Sequence, residues 1–252
     1  MGFHRNNINV MIMDAKNAIM MAILAGAATN LGIFFTYFNK SRVREVISVA
    51  LSFAMGVMSL ISLKELIPMS IKYFFRNLKI NIALLIVIMI PILVMIFVHF
   101  FKTKFNDNNH LYTVGILSMV SLLLHNLPEG IIVFTSSLAN KKLGLKIALS
   151  IAAHNLPEGI CIAVPIYYST SNRKKALLYT FLSGVAEPFG AIITWLFLKP
   201  FISILFLNIM LYFVGVLMIS ISFLEILPEV LSYQRKWHIL MGLCLSLFIL
   251  FL

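Results

Sequence analysis

Polar residues collect along this chain in short clusters, and the stretches between them are apolar for about twenty residues or more. The apolar runs cover 15–38, 46–75, 80–101, 111–139, 143–169, 174–198, 201–233 and 237–252. A helix rising 1.5 Å per residue needs roughly 20 apolar residues to cross the hydrocarbon core of a bilayer. The pattern therefore predicts an all-α integral membrane protein of eight transmembrane helices, one transporter-sized domain over 1–252 with no length left for a soluble domain. The last run is the weakest: about 16 residues reach roughly 24 Å, so it crosses only if it begins earlier or the bilayer thins. Trp237 at its start suits an interfacial anchor. The polar opening MGFHRNNINVMIMDAKN runs into the first apolar stretch without a small-residue cleavage site, so the first helix is expected to stay.

Internal repetition adds an architecture to this count. HNLPEG occurs at 125–130 and again at 154–159, and Ser-x-x-Glu-x-x-Pro closes both GVMSLISLKELIP from Gly56 and GVLMISISFLEILP from Gly215. Helices 1–3 and 6–8 thus read as related triplets. An odd number of spans places such triplets in opposite orientation, the inverted repeat of many secondary transporters. Helices 4 and 5, which carry the hexapeptides, then form a central pair.

Composition changes the picture mainly through the acids. Hydrophobic residues make up 61% of the 252 and charged ones only 12%, outside the range of soluble domains. The net charge of +11 does not indicate nucleic acid, because Lys and Arg are scattered over many loops as headgroup anchors. They divide almost equally between alternate loops, so the uncharged C-terminal end is the one feature that favours an outward side. Asp14, Glu45 and Asp107 lie in or beside loops, whereas Glu65, Glu129, Glu158, Glu187, Glu225 and Glu229 lie within apolar runs. Cys161 and Cys244 give neither a disulfide framework nor a CxxC pair.

On a helix, His125 and Glu129 share one face a turn apart with Asn126 beside them, and His154, Asn155 and Glu158 repeat this arrangement. A tight polar turn at Asn140, Lys141 and Lys142 makes the two helices antiparallel, bringing Glu129 level with Asn155 and Glu158 with Asn126. Pro128 and Pro157 free the carbonyls of Leu124 and Ala153. Glu187 before Pro188, Glu65 with Pro68, and Glu225 with Pro228 extend the pattern to further helices. A carboxylate at the bilayer centre costs on the order of 3 kcal/mol, and a divalent cation offsets that cost. The set of His, Glu and Asn suits Zn, Fe(II), Mn or Co better than Ca or Mg, and acids left without the ion would be partly protonated, making metal-for-proton exchange plausible. A lone buried His or Glu is more often a helix-to-helix hydrogen bond than a ligand, but two matched copies at one depth favour a site. Glu65, Glu225 and Glu229 lie nearer helix ends, where Lys64, Lys72 or Arg235 are candidate partners. Cys161, a turn from Glu158, could face the ion, but reads better as a small residue packing a helix interface.

The paired hexapeptides, AVPIYY after the second and SGVAEPFGA in the sixth span resemble the ZIP (Zrt/Irt-like) metal transporters, specifically the bacterial ZupT-type branch. The resemblance covers nearly the whole chain. It implies eight helices, outward termini, an inverted repeat, and two adjacent metal positions between helices 4 and 5. One would be a zinc position using Glu129, His154 and Glu158 with His125 as a further ligand. The other would be an iron position using Asn126, Glu129, Asn155, Glu158 and Glu187. By the same resemblance Met58 in the second helix approaches the metal. The implied activity is import of divalent metals (zinc, with iron, manganese, cobalt and cadmium) across the bacterial cytoplasmic membrane by alternating access, with no resident cofactor and room for a homodimer. The histidine-rich loop of many relatives is replaced here by KTKFNDNNH, with His110 alone.

An intramembrane metalloenzyme is the rival from another class. The chain has no HExxH, and only two of its six histidines stand in motifs, too few for a histidine-box oxygenase. An efflux carrier is the nearer alternative, since ligand chemistry does not set direction.

Overall fold

One residue builds the central hairpin. The Asn140 backbone N–H closes one helix on Ser136 O at 2.9 Å, while its side chain caps the next by accepting from the backbone of Lys142 and Leu143 at 2.9 and 3.2 Å. With no intervening loop the two helices must run antiparallel. Asn109, Asn172 and Ser203 start three other helices in the same way, each accepting from the backbone N–H three residues on.

The computed structural model describes residues 2–37, 43–104, 109–198 and 203–249. The loop charges Lys40, Arg42, Asp107 and Lys199 lie outside them. Within the described residues the chain is all-α: α1 (Asp14–Tyr37), α2 (Val43–Asn77), α3 (Ile80–Lys104), α4 (His110–Ala139), α5 (Lys141–Thr170), α6 (Arg173–Phe197), α7 (Ile204–Ser232) and α8 (Lys236–Ile249). The helix of α1 already begins at Gly2. The first seven are long and apolar enough to cross a membrane, and α8 is shorter. It begins at Lys236, with no earlier start, and lies along α2, where a Cβ on Gly242 would come within 2.1 Å of Ser52 Oγ.

Four irregularities escape the apolar pattern. The last ten residues of α1, Ala28–Tyr37, wind as a 3₁₀ helix. In α2 and α7 the chain widens into π turns at Ser62–Leu66 and Ser222–Ile226, closed by Ile67 N–H on Ser62 O and Leu227 N–H on Ser222 O. Each widened turn is the Ser-x-x-Glu part of the repeated motif and precedes its proline, which has no N–H to continue regular pairing. A third π turn, Thr194–Leu198, ends α6. By contrast Pro91, Pro128, Pro157 and Pro165 sit inside helices that run on past them, so α4 and α5 each continue for 30 residues.

The pair α4 and α5 forms the middle of the bundle, flanked by α1 and α6 on one side and by α2 and α7 on the other. In α4 and α5, 67% of the spanning window is buried, against 17% in α3, which packs mainly on α7 and exposes most of its length. The central pair is therefore the most enclosed place in the bundle for polar side chains.

Candidate metal centre

Each hexapeptide ends in a glycine, and each glycine is where a neighbouring backbone reaches the central pair. A Cβ on Gly130 would stand 1.8 Å from Glu187 O, and one on Gly159 would stand 1.8 Å from Thr29 O. Only a residue without a side chain admits these approaches. The first lets α6 deliver Glu187 beside α4, and the second seats α1 against α5. A role for these glycines is not evident from spacing alone, although a fixed glycine directly after an intramembrane glutamate is the signal that carries it.

The hairpin brings four side chains into a ring near the middle of both helices. His154 Nε2 lies 2.8 Å from Glu129 Oε1. His125 Nε2 lies 3.1 Å from the same oxygen and 3.2 Å from Glu158 Oε1, without hydrogen-bond alignment to either. The two imidazole centroids are 6.2 Å apart. Ligand atoms of His125, Glu129 and His154 lie within 4.8 Å of one another, close enough for one ion. The level pairing of Glu129 with residue 154 and Glu158 with residue 125 falls within one position of the sequence expectation.

Asn126, Asn155 and Glu187 complete the arrangement, all fully buried. Asn126 Nδ2 donates to Ser183 O at 3.0 Å, and Asn155 Nδ2 donates to Ala25 O at 2.9 Å and to Glu187 Oε2 at 3.0 Å. Because backbone carbonyls only accept, these bonds fix both amides with their oxygens turned away from the carbonyls. Among the described residues six oxygens of this group have no hydrogen-bond partner: Asn126 Oδ1, Glu129 Oε2, Asn155 Oδ1, both oxygens of Glu158, and Glu187 Oε1. Acceptors massed without donors are an unfavourable arrangement in a low-dielectric interior. A bound cation would satisfy them together.

The other residues singled out from sequence lie elsewhere. Met58 is buried against Cys161, whose thiol donates toward Met58 Sδ at 3.6 Å. Lys64 and Glu65 are both exposed. Glu225 and Glu229 do not take the partners expected for them: Lys102 Nζ stands 2.9 Å from Glu225, and His110 Nδ1 stands 2.5 Å from Glu229, which also accepts from Tyr233 O–H at 2.6 Å. Arg235 instead pairs with Glu45 at 3.2 Å. The correction has a simple origin. Lys102 and His110 are remote in sequence from α7, but the end of α3 and the start of α4 meet the end of α7 at the same end of the bundle.

Comparison with known proteins bears on this centre. The family model described as ZIP zinc transporter matches residues 104–251. A zinc transporter ZupT of Chlorobium limicola is 34% identical over 249 residues, covering 91% of this chain and 94% of the relative. Those of Streptococcus mutans and Campylobacter jejuni are each 32% identical, covering 92% and 90% of this chain and 94% and 91% of their own lengths.

Proposed function

Since the chain belongs to the ZIP zinc transporter family, a family of multi-pass membrane transporters and not of enzymes, we propose that it carries zinc across the cytoplasmic membrane and that the ring of α4 and α5 holds the ion. The observation that carries this reading is the set of six buried oxygens without donors beside two imidazoles. His125, Glu129, His154 and Glu158 provide the zinc-preferring half of the shell, because imidazole suits zinc. Asn126, Asn155 and Glu187, with the two shared carboxylates, provide an oxygen-rich half able to hold Fe(II), Mn(II) or Co(II). Glu129 and Glu158 serve both halves.

Transport proceeds inward by alternating access. Support comes from the unequal closure of the ring: His154 and Glu129, one turn nearer the Asn140 end, keep 12% and 7% of their side-chain surface exposed, against 3% and 1% for His125 and Glu158. The ion is therefore received from the Asn140 end, the outward end by family resemblance, and its passage needs the Arg173 end to open. Exchanging the ion for protons on the same carboxylates offsets their burial when the site empties. Substituting Glu129→Gln and Glu158→Gln together tests the site: zinc uptake into cells is abolished while the protein is still made and inserted. Undiminished uptake refutes the assignment, and release without uptake from metal-loaded vesicles reverses the direction.

A further inference from the structure

We infer that the cavity between the end of α1 and the starts of α2 and α8 binds one anionic phospholipid, with the phosphate on Arg235 and His238 and an acyl chain along α2 and α8. This site lies apart from the ring and stands whether or not the ring carries zinc. The cavity measures about 710 Å³, within the range of roughly 300–1,000 Å³ usual for small-molecule sites. Phe35, Val46, Val49, Ala50 and Met241 make its apolar wall, and Glu45 and His238 are its polar residues. All three helices have a terminus here, at Tyr37, Val43 and Lys236. The mouth therefore sits at headgroup depth and the wall reaches toward the acyl region. Trp237, 81% exposed beside it, suits the same interfacial level.

Charge selects the occupant. Arg235 Nη2 stands 3.2 Å from Glu45 Oε1, and both side chains keep contact with the surface, at 45% and 26% exposure. Arg44 directly precedes Glu45, Lys236 directly follows Arg235, and both are exposed. The mouth thus carries three cations against one carboxylate, and basic pockets between transmembrane helices take anionic headgroups. A guanidinium has five N–H donors, enough to serve Glu45 and a phosphate together, and the His238 ring supplies a further donor. A free inorganic anion would leave the apolar wall uncovered. A zwitterionic lipid would bring a second positive charge to a mouth that is already positive.

The chain has two tryptophans, and the other, Trp195, lies near the far end of α6, so Trp195→Phe leaves Trp237 as the sole reporter at the mouth. The full chain with that substitution is reconstituted in phosphatidylcholine vesicles containing brominated phosphatidylglycerol or brominated phosphatidylcholine. Quenching of Trp237 is read at about 0.15 M salt, where diffuse attraction is screened beyond roughly 8 Å. Phosphatidylglycerol is expected to bind roughly fivefold or more tightly than phosphatidylcholine. Arg235→Gln removes the preference, and so does Val46→Phe, which fills the cavity without changing charge. Glu45→Gln increases it by removing the carboxylate that repels the phosphate, a gain that misfolding cannot imitate. Lys174→Gln, which removes a cation elsewhere at the same end, leaves it unchanged. Equal quenching by the two lipids overturns the site, as does an equal loss in Arg235→Gln and Lys174→Gln, which is the mark of diffuse surface charge. Quenching by neither lipid also overturns it, because a second copy of the chain would then cover the mouth.

Discussion

Two groups of buried acids in this protein are built from the same residue types and behave as opposites. At the Arg173 end, Glu225 pairs through Oε1 with Lys102 while its Oε2 has no hydrogen-bond partner among the described residues, and Glu229 pairs with His110 and Tyr233. Burial, followed by the adjoining Glu229 carboxylate, pushes the Tyr233 hydroxyl above the ordinary phenol range, so it remains a donor. In the central group, Glu129 pairs with His154 and Glu187 accepts from Asn155, yet six oxygens of the group remain without a hydrogen-bond partner among the described residues. In the first group each carboxylate has its own cationic or donor partner, with one oxygen left over, and the pairs tie α3 and α4 to α7. On the proposed reading, the second is balanced by the transported cation. Satisfied burial holds a structure together, while unsatisfied burial is a binding site kept at a cost in stability.

This contrast predicts changes of opposite sign. The largest is in the ring: Glu129→Gln with Glu158→Gln removes two buried carboxylates faced only by the two imidazoles, so the metal-free protein melts at the same or a higher temperature. Its zinc-induced stabilisation, about 2.7 kcal/mol at a hundredfold excess over the dissociation constant, disappears in a thermal-shift assay. A metal-free protein that melts markedly lower would show that these acids are structural.

Next in size is the packing that assembles the ring. Gly130→Ala puts a methyl on the Glu187 carbonyl and is expected to cost about 1–3 kcal/mol or more. It should appear as loss of monodisperse protein on size exclusion and, in what survives, weaker zinc binding through the displaced Glu187. Gly159→Ala acts likewise through Thr29 on α1.

A smaller and opposite effect is expected at the balanced end. Glu225→Gln leaves Lys102 unpaired, but that side chain is 42% exposed and rehydrates, so the loss is about 1 kcal/mol. The zinc-induced shift survives. The smallest effect is at the rim, where Glu45→Gln breaks the half-exposed pair with Arg235 and changes stability by less than about 0.5 kcal/mol. If Glu225→Gln abolished zinc binding while the ring variants retained it, the two groups would have exchanged roles.

Much of the centre could be read before any fold was known. His125 and Glu129, like His154 and Glu158, are a turn apart on any helix, and a capped two-helix hairpin about Asn140 leaves little freedom in their register. Glu187 was legible as an acid beside proline in an apolar run. The glycines of the hexapeptides were not legible, because their role is the closeness of another backbone, a property of a pair of helices. The π turns were equally hidden, since hydropathy records which residues are apolar and not which carbonyl each N–H reaches.

By itself, the chain's pattern of apolar runs determined a helical membrane protein, because hydrocarbon leaves backbone polar groups no partner but their own helix. The doubled hexapeptide likewise determined that imidazoles and carboxylates meet in its interior. Only the tertiary structure decided which acids would be left wanting a partner. Lys102 finds Glu225 across 123 residues and His110 finds Glu229 across 119, and whether a buried oxygen is satisfied depends on such distant neighbours.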